Sequence, residues 1–205
     1  SPMSLNLPFL AITPVFLIFI SYFIVGEKVS FTGGIGIFLI AAGSYTLNID
    51  KIKEGIFEPF KSIPKEKGSV FMIGVALIYC FTASLGKIAI EHSSPLFFAI
   101  TYYIALTICL APIALLMGRK ELKGFVKNRH FTGLIIPGIS FSIMAATHMT
   151  AMKLTKVAYM ISVKRLSLII GIIYGFILFK EEKIRERFLG AILMLIGFVL
   201  VVTAR

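Results

Sequence analysis

Charge is scarce in this chain, and that scarcity bounds its class. Only 15% of the 205 residues are Asp, Glu, Lys or Arg, whereas 58% are hydrophobic. In soluble domains, about a quarter of the residues are charged. A water-soluble fold cannot hide so much apolar surface. The composition therefore excludes a soluble domain and predicts an all-α integral membrane protein.

Groups typical of catalysis or metal binding are equally sparse. The two cysteines, Cys80 and Cys109, fall inside apolar segments, where a thiol behaves as a small buried hydrophobe. His92, His130 and His148 are scattered, with no H-E-x-x-H motif. No nucleophile has a base at recognisable spacing, and no phosphate-binding glycine loop of the ATPase type occurs. We expect no catalytic residue, no metal site and no cofactor.

Long apolar runs dominate the rest of the sequence, and about 20 such residues are needed to cross a membrane. Cutting the chain at its charge and Gly/Pro clusters gives seven candidate spans. Most are joined by short loops, which predicts antiparallel helix hairpins. The spans are Pro8 to Gly26, Phe31 to Ile49, Ser69 to Ile90, Pro95 to Gly118, Phe131 to Met152, Val157 to Phe179 and Arg187 to Ala204.

The basic residues behind the net charge of +11 lie mainly between the apolar runs. A nucleic-acid binder would gather its basic residues on one exposed face, so we expect no nucleic-acid partner. Basic loop residues concentrate on the side that holds a polar linker at residues 50–68. The positive-inside rule makes that side cytoplasmic and the C-terminus external. The few basic residues on the opposite side are Lys28, Lys153, Lys156 and Arg205.

An internal repeat links the two ends of the chain. A shift of 154 residues places Glu27 on Glu181, Gly36 on Gly190 and Gly43 on Gly197 without a gap. Chance could supply the glycine matches in Gly-rich apolar helices, whereas the glutamate match is harder to dismiss. If the repeat is real, residues 69–205 form a complete five-helix unit. Residues 1–49 then hold the last two helices of an earlier unit, and about three helices are missing.

Five is an odd number, so successive five-helix units enter the membrane from opposite sides and form an inverted repeat. Such symmetry allows one pattern to build an outward-facing and an inward-facing gate. No basic n-region precedes the first span, so no signal peptide is predicted and a truncation or internal start is the simpler interpretation.

The repeated segments resemble a known family. The sequence Tyr22 to Lys28 followed by Gly36 to Gly43 is similar to the end of an EamA-like domain of the drug/metabolite transporter superfamily. Residues Ile177 to Glu182 followed by Gly190 to Gly197 resemble the end of a second such domain. The resemblance implies a ten-helix transporter with a central substrate cavity. It also implies cytoplasmic termini, in conflict with the charge distribution, and we leave the orientation open.

Ionisable groups at membrane depth are costly and tend to face a polar cavity. Lys164 and Arg165 lie about two turns inside their span, and we expect at least one to face a cavity. The alternative is snorkelling or a structural pair with Glu91. Arg165 shares a helix face with Ser162 and roughly with Tyr159, so these two side chains are further candidates to line the substrate cavity.

Other residues allow two interpretations each. His148 could couple proton movement to transport or hydrogen-bond across a helix interface. Lys87 is expected at the interface, paired with Glu91. Glu27 and Glu181 are expected to be loop charges or helix caps. Four glycines are expected to permit close helix packing, namely Gly36, Gly43, Gly190 and Gly197.

The leading functional hypothesis is secondary active transport of a small metabolite or drug-like molecule across the cell membrane by alternating access. A non-transporting subunit of a heteromeric carrier is the alternative, and an integral membrane enzyme is the weakest one. The expected partners are a small-molecule substrate and the lipid bilayer. A coupling proton or ion, and a homodimer or partner subunit, remain open.

Overall fold

The computed structural model describes residues 10–47, 67–118, 132–179 and 184–204, and all regular structure in these ranges is helical. The linker at 50–68, apart from its last two residues, and Glu181 lie outside these ranges. Eight helices occur in the described ranges. They are α1 (Thr13–Val25), α2 (Phe31–Leu47), α3 (Lys67–Glu91), α4 (Pro95–Met117), α5 (Thr132–Leu154), α6 (Val157–Lys164), α7 (Ser167–Phe179) and α8 (Ile184–Thr203).

Three of these helices are long and apolar enough to cross a membrane, through Val70–Glu91, Pro95–Met117 and Gly133–Leu154. Shorter apolar stretches form α1, α2 and residues Phe188–Thr203 of α8. Of the residues of α4, only Ala99 is buried inside the chain. Large apolar side chains left uncovered in this way mark surfaces that contact lipid or other protein. The chain is therefore a multi-pass membrane protein.

The described chain divides into two compact units. The first contains α1, α2, α3 as far as Lys87, and the segment from Thr155 to the end of α8. The second runs from Ile88 to Leu154 and contains the end of α3 with α4 and α5. Within the first unit, α2 packs along α8, and α1 packs on both α2 and α6. Within the second unit, α4 packs against α5.

Helices α2 and α8 approach each other to backbone distance at two glycine pairs. A Cβ atom built on Gly36 would lie 2.7 Å from the carbonyl oxygen of Gly197, and one on Gly197 would lie 2.6 Å from that of Gly36. Gly43 and Gly190 meet in the same reciprocal way, at 2.5 and 2.8 Å from each other's carbonyl oxygen. Because low and high numbers pair, the two helices run antiparallel. Small residues are what allow such contact in membrane helices.

Short turns interrupt the helical structure at two places, between α6 and α7 and just before α1. The span predicted from Val157 to Phe179 is divided into α6 and α7 by a turn at Arg165 and Leu166. A second turn, at Ala11 and Ile12, separates helical Leu10 from α1. The two turns are 154 residues apart, the same offset that relates the glycines.

The same tight hydrogen bond follows each turn. The Val15 amide donates to the Ile12 carbonyl at 2.9 Å, and the Ile169 amide donates to the Leu166 carbonyl at 3.0 Å. Both bonds span three residues rather than four and so belong to the tighter 3₁₀ geometry. The two interrupted helices therefore share a local backbone conformation as well as a sequence offset.

Candidate functional site

Glu27, in the segment that follows α1, places its carboxylate at the start of α6. Gly26 ends α1 with a left-handed φ of 79°, and its conformation lets the Glu27 amide donate back to the Ser21 carbonyl at 3.4 Å. The Glu27 Oε2 atom then accepts a hydrogen bond of 2.7 Å from the Val157 amide at the start of α6. Lys156, which precedes α6, supplies no side-chain cap. A carboxylate 130 residues away thus satisfies an otherwise unpaired amide and suits the positive end of the helix dipole.

Lys87 lies beside this carboxylate. Its Nζ atom is 3.9 Å from Glu27 Oε1, and the two side chains are only 6% and 11% exposed. The same Nζ donates to the Thr155 carbonyl at 3.1 Å. The expectation of an interfacial lysine paired with Glu91 did not anticipate this burial against Glu27. A buried ammonium and a buried carboxylate at this distance stabilise each other, because either one alone would be costly.

Tyr159, near the start of α6, hydrogen-bonds to Ser30 in the segment between α1 and α2. Its hydroxyl accepts from the Ser30 amide at 3.2 Å and lies 3.1 Å from the Ser30 Oγ atom. A Cβ atom on Gly33 would overlap this hydroxyl, so any larger residue there would displace the tyrosine ring. The Lys156 ammonium lies 5.3 Å from the centre of the tyrosine ring, within range of a cation–π interaction. Tyr159 is thus buried in a contact between distant parts of the chain.

The two adjacent cations of α6 and its following turn have different surroundings. The Lys164 side chain is exposed, whereas Arg165 is half-buried. Arg165 Nη2 donates to the Leu10 carbonyl at 2.6 Å, next to the turn before α1. The Arg165 Nε atom is also buried and has no hydrogen-bond partner among the described residues. Of the two, Arg165 is therefore bound to backbone, and Lys164 is the one left uncovered.

The remaining candidates divide between the two units. Ser162 is buried in the first unit, where its Oγ donates to the Ala158 carbonyl at 2.6 Å. His148 is half-buried on α5, in the second unit. No group of three or more His, Cys, Asp or Glu side chains capable of holding a metal occurs in the part of the chain that is described. The described candidate residues are therefore spread over both units.

The interaction of Arg165 with Leu10 was missed by the sequence analysis, although one signal was present. Pro14 stands four residues after Leu10 and lacks the amide that would donate to the Leu10 carbonyl in a continuous helix. A proline at that position predicts a free carbonyl, which some other donor must satisfy once it is buried. The identity of that donor, 155 residues away, is a tertiary property.

Comparison with known proteins agrees with the resemblance drawn from the repeated segments. The model of the EamA-like transporter family matches residues 66–203, which is more than half of the chain. No curated protein and no solved structure matches the chain. The members of this family are membrane transporters of small molecules rather than enzymes. By its sequence match and its exposed apolar helices, the chain belongs to the EamA-like transporter family.

Proposed function

We propose that this chain is part of a secondary active transporter of the cell membrane, which moves a small metabolite or drug-like molecule by alternating access. Seven spans of a ten-helix fold are present in this proposal, with α6 and α7 forming one span. Residues 69–205 form a complete five-helix repeat, residues 50–68 are a linker, and residues 1–49 end an earlier repeat. The two repeats are inverted relative to each other.

The observation that carries this proposal is the duplicated helix interruption. The turns at residues 11–12 and 165–166 lie 154 residues apart, and each is followed by the same 3₁₀ hydrogen bond. Interrupted helices in corresponding positions of two halves are typical of transporters, since they place backbone groups beside a substrate pathway near the middle of the membrane. A non-transporting membrane subunit would have no need for a matched pair.

The glycine pairs support the inversion. The shift of 154 converts the pair Gly36 and Gly197 into the pair Gly190 and Gly43, which is the other pair that meets in the structure. Two-fold symmetry about an axis between α2 and α8 requires this reciprocity. In a parallel repeat the two equivalent helices would run in the same direction, and Gly36 would meet its own equivalent, Gly190, rather than Gly197. Inverted halves are the usual basis of alternating access.

Lys164 is our candidate for the residue that meets substrate. It lies beside the interruption, its side chain is not covered by the first unit, and an ammonium at membrane depth needs a polar or anionic neighbour. This favours a substrate with an anionic or zwitterionic group. His148 remains a candidate for proton coupling, because histidine titrates near neutral pH.

Flux into proteoliposomes tests this proposal. The purified full-length protein is reconstituted, and uptake from a panel of anionic, zwitterionic and cationic metabolites is measured by mass spectrometry, with and without a proton gradient. We expect saturable uptake of at least one anionic or zwitterionic compound. Lys164→Ala should reduce that uptake at least about tenfold, the consequence of losing one charge-assisted contact. Lys28→Ala, at an exposed turn, is the matched control and should retain it.

Absence of flux for every class under every gradient, from protein that elutes as a folded species, would contradict transport and favour a subunit that completes a heteromeric carrier. Equal uptake by wild type and Lys164→Ala would keep transport but remove Lys164 from the pathway.

A further inference from the structure

The turn before α1 leaves a backbone carbonyl that its own helix cannot satisfy. In a continuous helix the Leu10 carbonyl would accept from the amide of residue 14, but residue 14 is proline. Two other donors reach this oxygen. The Thr13 hydroxyl donates from 2.7 Å and the Arg165 guanidinium from 2.6 Å. Both lone pairs of the carbonyl are therefore used.

The guanidinium has its own need for a partner. Arg165 is half-buried in an apolar segment, where an unpaired cation is costly. A freed carbonyl is an acceptor that a planar, permanently charged guanidinium binds well. Each group thus offsets the cost of the other.

The two copies of the interruption differ in a complementary way. The shift of 154 places Ala11 at the position of Arg165, and Leu168 at the position of Pro14. The copy with the proline has no cation, and the copy with the cation has no proline. In the second copy the Leu168 amide is intact and donates to the Arg165 carbonyl at 3.0 Å. The cation of one interruption therefore supplies the donor that the other lacks.

We infer that Arg165 is a positioning residue, which holds the interruption before α1 in place by donating the hydrogen bond that Pro14 cannot donate. It acts through the Leu10 carbonyl rather than by touching substrate. Of the adjacent cations, only Lys164 is then left for the transport pathway, a consequence that rests on the proposed function.

A native thiol reports on this interruption. The Sγ atom of Cys80 is fully buried and donates to the Thr13 carbonyl at 3.5 Å. Cys109, on α4, is exposed and serves as an internal reference. The rate of alkylation by N-ethylmaleimide at each thiol, measured by mass spectrometry of the two peptides, gives a ratio that is independent of reagent concentration. This readout needs no substrate.

The experiment compares the full-length wild type in detergent with Arg165→Met, Pro14→Ala and the double variant. We expect Arg165→Met to raise the ratio of Cys80 to Cys109 alkylation about tenfold, as expected for one lost charge-assisted hydrogen bond. In the double variant the alanine introduced at position 14 has an amide that can donate to the Leu10 carbonyl, so the ratio should return to within about twofold of Pro14→Ala alone. Lys164→Met, the adjacent exposed cation, should leave the ratio unchanged.

An equal rise in the presence and absence of Pro14 would overturn the inference, because Arg165 would then stabilise something other than the carbonyl that proline frees. Failure of both Arg165→Met and the double variant to fold would overturn it for the same reason. Where a substrate is found, the double variant should keep its KM within about twofold. A raised KM without rescue would make Arg165 a substrate contact and overturn its positioning role, while transport itself would stand.

Discussion

The two compact units bring their helices together by different means. In the first unit, α2 and α8 meet at four glycines, where backbone contacts backbone. In the second unit, the contact between α4 and α5 includes the rings of Tyr103 and Phe141, whose centres are 5.3 Å apart at an angle of 73°. Of the residues described on α4, only Ala99 is buried. The first unit is packed to the backbone, whereas the second leaves most side chains uncovered.

This difference shows that glycine content alone does not reveal packing. Gly133 and Gly138 lie on α5 with nothing within 4 Å of a Cβ atom built on them, although that helix is also long and apolar enough to cross a membrane. Gly34 on α2 is equally open, only two residues from the close contact at Gly36. What separates the two kinds of glycine is the neighbour across the interface, and substitution by alanine should therefore distinguish them.

The largest effect is expected at the α2–α8 crossing. Gly43→Ala would place a methyl group 2.5 Å from the Gly190 carbonyl oxygen, and backbone cannot move aside as a side chain can. We expect the free energy of unfolding to fall by about 3 kcal/mol, the upper part of the usual range for overpacking. A denaturant titration in mixed micelles, followed by circular dichroism, measures it. Gly34→Ala on the same helix is the control, and an equal loss there would contradict the role of the crossing.

A smaller effect is expected at the buried ion pair of the first unit. Glu27→Gln keeps an acceptor for the Val157 amide but removes the negative charge 3.9 Å from the Lys87 ammonium. We expect the same titration to give a loss of about 2 kcal/mol. Adding Lys87→Met should recover part of this loss, because the uncompensated buried charge is then removed. If the double variant instead loses the sum of what the two single variants lose, the two side chains are not coupled.

The smallest effect, and the opposite sign, is expected in the second unit. Gly138→Ala adds a methyl group to open space within a helix and reduces the freedom of the unfolded chain. The free energy of unfolding should rise by up to about 1 kcal/mol. A clear loss instead would mean that α5 is approached closely by another part of the assembled transporter, and the contrast between the two units would then be weaker than proposed.

Much of the helical architecture follows from the sequence because hydrophobic length and loop charge are local properties. The bounds of α4 and α5 lie within two residues of the spans expected from composition. The interruption between α6 and α7 was not expected, since no proline or glycine marks Arg165 or Leu166. Its only sequence signal is the repeat itself, through the turn that Pro14 imposes on the other copy.

Tertiary partners were harder to predict than helices. Helix-end position suggested that Glu27 caps a neighbouring helix, but the amide it binds belongs to Val157, far along the chain. Tyr159 was a candidate for a cavity, and nothing in its local sequence indicates that its hydroxyl binds Ser30. A local pattern gives the type of partner a polar group needs, and only the folded chain determines which group supplies it.

The crossing of α2 with α8 also constrains biosynthesis. Well over a hundred residues separate these helices along the chain, so their glycines cannot meet until α8 has been synthesised and inserted. Until then, the surface of α2 around Gly36 and Gly43 is not covered by α8. A nascent chain truncated before α8 would keep that surface uncovered, and such exposed surfaces are what makes incompletely assembled chains prone to aggregate.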